Sequence, residues 1–74
     1  MSRLPQVNAT KLIKVLNKLG FFETRSSGSH RIFRHSDGRG TSVPFHAGED
    51  IGRGLLRAIL RQVRISPEEF KKLL

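Results

Sequence analysis

The stretch GSHRIFRHSDGRGTSVPFH, residues 28–46, decides the fold of this 74-residue chain. It contains two short runs rich in aromatic and β-branched residues, at 29–35 and 41–45. Runs of this kind predict β-strands when a glycine-containing turn separates them, and Asp37-Gly38 is a typical pair for a hairpin turn. The stretch therefore predicts an antiparallel β-hairpin.

The segment before this hairpin predicts one more strand. Residues 21–26, FFETRS, have the aromatic and β-branched content of a strand and are separated from the hairpin by a short turn around Gly28. The three runs together predict a three-stranded antiparallel meander. Pro44 favours an edge position for the last strand, because proline cannot donate a hydrogen bond to a ladder.

Helical periodicity flanks the predicted sheet on both sides. Asn8 is a suitable N-cap for a first helix with Lys11, Lys14 and Lys18 on its polar side, and Gly20 is a suitable residue to end it. Ser66-Pro67-Glu68-Glu69 predicts the capped start of a short last helix that runs to Leu74. The apolar stripes are Leu12, Ile13, Leu16 and Leu19 in the first helix and Leu55, Leu56, Ile59, Leu60 and Val63 in the second.

This order of elements predicts an α+β fold, α-β-β-β-α with a short additional C-terminal helix, in a single domain that covers residues 1–74. One face of the three-stranded antiparallel sheet packs against the helices. The other face is free to bind a partner.

The strong positive charge of the chain indicates an anionic partner. Fourteen lysines and arginines stand against six acidic residues, a net charge of +8. Nucleic acid is the leading candidate because the basic residues are spread through the chain, whereas membrane-binding proteins gather them on one helix or tail. A solvated basic surface is the alternative. With no cysteine and no apolar segment of membrane-spanning length, we expect a soluble cytoplasmic protein.

Strand alternation predicts which side chains face the open side of the sheet. Phe33 is the best core anchor of the middle strand, because its ring buries more area than the side chain of Ile32. His35 then lies on the core side near the end of the strand. The side chains expected on the open face are His30, Ile32, Arg34, Ser42, Pro44 and His46.

The histidines are candidates for catalysis rather than for metal binding. Their spacing does not place them on one helical face, and no cysteine or tight carboxylate cluster accompanies them, so we predict no metal and no cofactor. An imidazole can act as general acid or base near neutral pH, and RNA supplies its own 2′-hydroxyl nucleophile. Gly28-Ser29-His30 offers a glycine that a phosphate can approach, a hydroxyl and an imidazole. The alternative is that His30 is an ordinary exposed side chain.

Four arginines share one side of the predicted second helix: Arg53, Arg57, Arg61 and Arg64. Like charges one turn apart are mildly destabilising, so such a row suggests that phosphates or an acidic protein bind there. The alternative is that the arginine stems cover the edges of the core while their guanidinium groups stay in water.

The chain resembles the HicA toxin family, the small mRNA interferases of HicAB toxin–antitoxin modules. The resemblance covers nearly the whole chain. It is carried by the Gly-Phe pair after the first helix, Gly28-Ser29-His30 with Phe33 three residues on, Val43-Pro44-x-His46, and Leu56-Arg57-x-Ile59-Leu60. The order and spacing of these pieces in so short a chain carry the match, since no single piece is specific.

The resemblance implies a fold like the double-stranded-RNA-binding domain and a ribosome-independent, metal-free cleavage of mRNA with His30 as the catalytic residue. It also implies a HicB-type antitoxin that covers the active face of the toxin. His46 matches the family histidine after Val-Pro and is a candidate accessory residue, with a structural role as the alternative. The residues expected to contact RNA are Gly28, Ser29, Arg31, Arg34, Arg53, Arg57 and Arg61.

Two other functions are compatible with this pattern. A non-catalytic module could bind double-stranded RNA through its phosphates and 2′-hydroxyls, in which case His30 would barely matter. The basic surface could instead contact only an acidic protein partner.

Overall fold

The computed structural model describes residues 4–46 and 48–74. Their element order confirms the α+β fold, with an α-β-β-β-α sequence and a short last helix. The elements are β1 (Val7–Asn8), α1 (Ala9–Lys18), β2 (Phe22–Ser27), β3 (His30–Arg34), β4 (Gly40–Pro44), β5 (Asp50–Ile51), α2 (Arg53–Val63) and α3 (Pro67–Leu73).

The main sheet has the order β2-β3-β4 and is antiparallel throughout, as the meander predicts. Pro44 lies on the edge strand β4. A second, two-stranded ladder pairs β1 with β5 through Val7 opposite Ile51. Each of its strands is only two residues long, too short to produce a periodic signal in the sequence.

A single apolar core lies between the sheet and the helices. Phe33 and Val43 from the sheet are 1% and 0% exposed. The helices contribute Leu12 and Leu16 from α1, Leu56, Ile59, Leu60 and Val63 from α2, and Phe70 from α3. The inclusion of Leu55 in the apolar stripe of α2 was wrong, because its side chain is 45% exposed. At about 100° per residue, Leu55 lies about 40° beyond Ile59, outside the edge of the arc that the buried residues share.

A Schellman motif ends α1, and its geometry requires a glycine. Gly20 has a φ of +97°. Its N–H donates to the carbonyl of Asn17 at 3.1 Å, and the N–H of Phe21 donates to the carbonyl of Leu16 at 2.9 Å. Positive φ is costly for a side chain with a Cβ, so the sequence-based assignment of Gly20 as the end of the helix has a physical basis.

His35 completes this corner as a structural residue. Its Nε2 donates to the carbonyl of Leu19 at 3.0 Å, because a carbonyl oxygen can only accept. Its Nδ1 lies 3.1 Å from the backbone N of Asp37 and 3.0 Å from the carboxylate of the same residue. The imidazole also meets the Phe21 ring edge-on, with 5.0 Å between centroids. The core-side location predicted for His35 is correct.

We expect Gly20→Ala to destabilise the fold by at least about 1–2 kcal/mol, the cost of a left-handed backbone for a non-glycine residue. A Cβ at this position would also lie 3.0 Å from the Nε2 of His35 and displace the imidazole. Gly54→Ala is the matched control, because its Cβ would meet nothing within 4 Å and a helical alanine is favoured. The unfolding temperature should fall for Gly20→Ala and rise for Gly54→Ala. A Gly20→Ala protein as stable as the wild type would contradict this account of the corner.

Candidate functional site

The register of the main sheet brings nine positions to its open face. Residues directly opposite each other in an antiparallel pair point to the same side. Because Phe33 and Val43 point to the core, their neighbours in sequence point away from it. The open face is formed by Phe22, Arg25 and Ser27 from β2, His30, Ile32 and Arg34 from β3, and Gly40, Ser42 and Pro44 from β4.

A β-bulge in β2 sets the composition of this face. Glu23 pairs with Phe33 and Arg25 pairs with Ile32, which leaves Thr24 as the extra residue. Without the bulge, Phe22 and Arg25 would point to opposite faces because they are three positions apart in the sequence. With it, both lie on the open face, and the hydroxyl of Thr24 donates to the carbonyl of Ile32 at 3.3 Å.

His30 begins β3 directly after a tight turn. Ser27 pairs with His30, so the connecting loop consists of Gly28 and Ser29 alone. Gly28 has a φ of +59°, as a glycine in the first position of a type II′ turn requires. The imidazole is exposed and has no hydrogen bond or ion pair within the described part of the chain. Its ring is therefore available to a ligand.

The turn also supplies backbone donors next to His30. The N–H groups of Gly28 and Ser29 make no hydrogen bond among residues 4–46 and 48–74. The carbonyl of Ser29, in contrast, accepts a hydrogen bond from the N–H of Phe45. This bond ties the turn to the end of β4 and holds the position of His30.

Arg34 and Arg31 lie on opposite faces of the sheet. Arg34 shares the open face with His30, whereas Arg31 pairs with Val43 and points to the helix side. The guanidinium of Arg31 lies 4.0 Å from the centre of the Phe45 ring and 3.9 Å from the carboxylate of Glu23. The structure thus places Arg34 on the same face as His30, at the other end of β3, and places Arg31 on the opposite face.

The arginines of α2 are not brought to the open face either. Gln62, on one flank of the apolar stripe of this helix, accepts a hydrogen bond from Thr41 of β4 at 2.6 Å. At about 100° per residue, the arginine row lies on the other flank. Arg53 donates from Nε to the carbonyl of Leu4 at 2.8 Å, which gives it a structural role. Arg57 and Arg61 are exposed and line a shallow pocket of about 190 Å³ with Pro67.

His46 follows β4 and is exposed. It lines a small pocket together with Pro44, the residue paired with His30. Glu49 and Asp50 line the same pocket, and the N–H of Glu49 donates to the carbonyl of His46 at 3.1 Å. His46 is therefore placed near the catalytic candidate, with carboxylates beside it.

The turn between β3 and β4 contains a charged cluster with a structural role. Gly38, with a φ of +100°, occupies the hairpin turn predicted for Asp37-Gly38. Asp37 accepts a hydrogen bond from the backbone N–H of Arg39 at 3.0 Å and one from its Nε at 2.8 Å. Arg39 also donates to the carbonyl of Val63 and covers the Phe21 ring, which ties the turn to α2.

The charge of Asp37 makes this turn sensitive to acid. The backbone N–H of Arg39 is the largest cause that lowers the pKa of Asp37 below its ordinary value of 3.8, followed by the Arg39 guanidinium. A carboxylate whose pKa is lower in the folded state than in the unfolded state stabilises the fold at pH values above its unfolded-state pKa. That contribution is lost as the pH falls through the folded-state pKa. We expect Asp37→Asn to be less stable than the wild type at neutral pH, with a smaller difference at pH values below 3.8. Thermal unfolding across this range tests the prediction, and a constant difference would contradict it.

Phe22 and Arg25 are two of the open-face residues that the sequence analysis missed, besides Ser27 and Gly40. Phe22 is 51% exposed, and Arg25 is exposed with no side-chain partner in the described residues. The bulge that places them together has no signal in the sequence. The exposure of Phe22 could have been suspected from the pair Phe21-Phe22, because neighbouring strand residues cannot both face the core.

No group of three or more histidine, cysteine, aspartate or glutamate side chains among residues 4–46 and 48–74 is close enough to hold a metal ion. None of the helices in these ranges is long and apolar enough to cross a membrane.

Comparison with known proteins identifies the family to which the chain belongs. No curated protein matches the chain. The family model described as "HicA toxin of bacterial toxin-antitoxin" matches residues 9–65, from the start of α1 to just beyond the end of α2. This match spans most of the 74 residues and includes the whole sheet with the Gly28-Ser29-His30 turn. The chain therefore belongs to the HicA toxin family of toxin–antitoxin systems.

Proposed function

We propose that this toxin is an endoribonuclease that cleaves mRNA without a ribosome, a metal ion or a cofactor, with His30 as its catalytic residue. The observation that carries the proposal is the position of His30. Its imidazole is exposed and unpartnered at the start of β3, beside free backbone N–H groups and on the same face as Arg34 and Arg25.

The proposed chemistry uses the nucleophile that RNA carries. The 2′-oxygen forms a bond to the adjacent phosphorus while the bond from phosphorus to the 5′-oxygen breaks. The products are a 2′,3′-cyclic phosphate and a free 5′-hydroxyl. His30 takes the proton from the 2′-hydroxyl or gives one to the leaving 5′-oxygen, because an imidazole can act as general base or general acid. His46 or water completes the acid–base pair.

The groups around His30 can stabilise the negative charge that develops on the phosphate oxygens during the reaction. Backbone N–H groups that are fixed before the reaction stabilise a developing oxyanion without reorganisation. The turn residues Gly28 and Ser29 supply such groups next to the imidazole. Arg34 and Arg25 supply positive charge further along the same face, and the nine positions of that face include no carboxylate.

The proposed partner is a HicB-type antitoxin that covers this face. An inhibitor of a phosphate-binding surface would present acidic groups to it, which fits the net charge of +8. Because mRNA is the proposed substrate, we place the activity in the cytoplasm.

The test is the incubation of purified toxin with a defined mRNA in EDTA and without ribosomes. We expect discrete products that carry cyclic phosphate ends. Binding without cleavage would contradict the proposal and favour a non-catalytic RNA-binding module. Cleavage only after addition of a divalent metal ion would contradict the metal-free mechanism.

A further inference from the structure

Phe22 is an exposed aromatic side chain beside two arginines, at the start of the edge strand β2. It is 51% exposed, and burial of a phenylalanine ring is normally one of the larger contributions to a small core. On the same face, Arg34 pairs directly with Phe22 across the strands, and Arg25 is the next open-face residue along β2. An exposed ring between two arginines suggests that a ligand covers it.

The ring of Phe22 differs from the other aromatic rings close to the sheet. Phe21 is covered by the guanidinium of Arg39, and Phe45 is covered by that of Arg31. Both of these stacked pairs form from residues on the helix side of the sheet. Within the described residues, no cation or aromatic ring stacks on Phe22. Its face is free for a planar group from outside the chain.

The charge around Phe22 selects the kind of planar group. A nucleobase linked to a phosphate combines a flat π-surface with a negative charge, and aromatic side chains beside arginines are the usual platform for unpaired bases. A base inside a duplex is stacked on its neighbours and cannot cover the ring. The surface therefore fits a single-stranded segment of RNA.

The position of Phe22 relative to His30 fits a continuous strand of RNA. Phe22 is paired with Arg34, at the end of β3 opposite to His30. Four residues along a strand correspond to about 13 Å. A base stacked on Phe22 would thus lie a few nucleotides from a phosphate that contacts His30. Its binding would hold the RNA in position without touching the reacting atoms.

We propose that Phe22 is a stacking site for an unpaired nucleobase, flanked by Arg25 and Arg34, and that it makes the open face a single-strand-specific RNA surface. This inference rests on the proposed RNA-cleaving function. It adds that the substrate is single-stranded where it crosses the sheet.

The experiment measures RNA affinity in proteins that carry His30→Ala, so that the probe stays intact. The probes are a short single-stranded RNA oligonucleotide and the same sequence annealed to its complement. We compare the parent protein, which carries His30→Ala and keeps Phe22, with variants that also carry Phe22→Ala, Phe22→Leu or Phe22→Trp. Leu74→Ala is the matched control, because Leu74 is an exposed apolar residue that follows α3 and lines a pocket with Lys14 and Lys18 of α1, away from the open face.

We expect Phe22→Ala and Phe22→Leu to weaken binding of the single strand by about 5- to 100-fold, the contribution of one stacked base. Phe22→Trp should retain affinity, Leu74→Ala should have no effect, and affinity for the duplex should not depend on Phe22. Because Phe22 is exposed, all variants should unfold at temperatures close to that of their parent. Phe22→Leu keeps an apolar strand residue and so separates stacking from a general effect on the sheet.

Equal affinity of Phe22→Leu and its parent for the single strand would overturn the inference, as would an equal loss for single strand and duplex. Loss of antitoxin binding alone would assign the ring to a protein contact instead. The inference and the proposed function can be refuted independently of each other. A toxin that never cuts RNA but needs Phe22 to bind it refutes only the function, and a toxin that cuts RNA but binds it without Phe22 refutes only the inference.

Discussion

His30→Ala should lower the rate of RNA cleavage by about 10²- to 10⁴-fold, the usual contribution of a general acid or base. The substitution removes the imidazole and leaves the arginines and backbone donors of the open face in place. Since His30 is exposed and has no side-chain partner in the described residues, the variant should fold and bind RNA. Cleavage rates in EDTA and thermal unfolding of the same preparations measure both expectations.

His35→Ala and His46→Ala are the informative controls for this prediction. His35 caps the α1 corner on the other side of the sheet, so its loss should lower stability rather than the rate of the folded fraction. His46→Ala should lower the rate less than His30→Ala, because water can take the place of a second proton carrier. Wild-type cleavage by His30→Ala would remove His30 from the mechanism.

Phe33→Ala should destabilise the protein by about 3–5 kcal/mol, the typical cost of truncating a buried phenylalanine. Phe33 is 1% exposed and lies at the centre of the core face of β3. A single hydrophobic core in a domain of this size rarely supplies more than about 3–5 kcal/mol, so most of the stability is lost. Chemical denaturation of the wild type and the variant measures the difference.

Ile32→Ala is the matched control, because Ile32 is the sequence neighbour of Phe33 but lies half-buried on the open face. We expect a loss of about 1 kcal/mol or less for this variant, since a half-buried side chain that is truncated leaves no closed cavity. Equal losses for the two variants would contradict the assignment of faces, and with it the exposure of His30 on the open side.

The alternation of β3 made the location of His30 predictable from the sequence. One ring, that of Phe33, had to be buried, and the period of two then placed His30 and Arg34 on the opposite face. The turns were equally predictable, because Gly20, Gly28 and Gly38 adopt positive φ values that other residues rarely take.

The composition of the rest of the surface depended on features that a sequence pattern does not carry. The bulge at Thr24 moves Arg25 onto the open face beside Phe22, and no local residue preference marks it. Arg31 is a different case, because the alternation that places His30 on the open face already predicts Arg31 on the helix side, where it contacts Phe45, and its expected contact with RNA disagreed with that pattern. Charge near a candidate residue in sequence is therefore a poor guide to charge near it in a strand.

The arginine row on α2 was predictable from its helical spacing, but its location relative to the open face was not. The row is real as a helical pattern, but Arg53 contacts the carbonyl of Leu4, and the flank of the helix that meets the sheet carries Gln62 instead. A role in RNA or antitoxin binding for Arg57 and Arg61 remains a prediction. They would form a second basic surface, separate from the open face.

The most direct test of the mechanism compares two RNAs that differ by one oxygen atom. One is a substrate with a mapped cleavage site, and the other has a 2′-deoxynucleotide on the 5′ side of the phosphate that is cut. In EDTA, the wild-type toxin should cut the first and leave that phosphate intact in the second, while it binds both RNAs equally. Cleavage of the deoxy-substituted phosphate would show that the 2′-hydroxyl is not the nucleophile, and the account of His30 would be wrong.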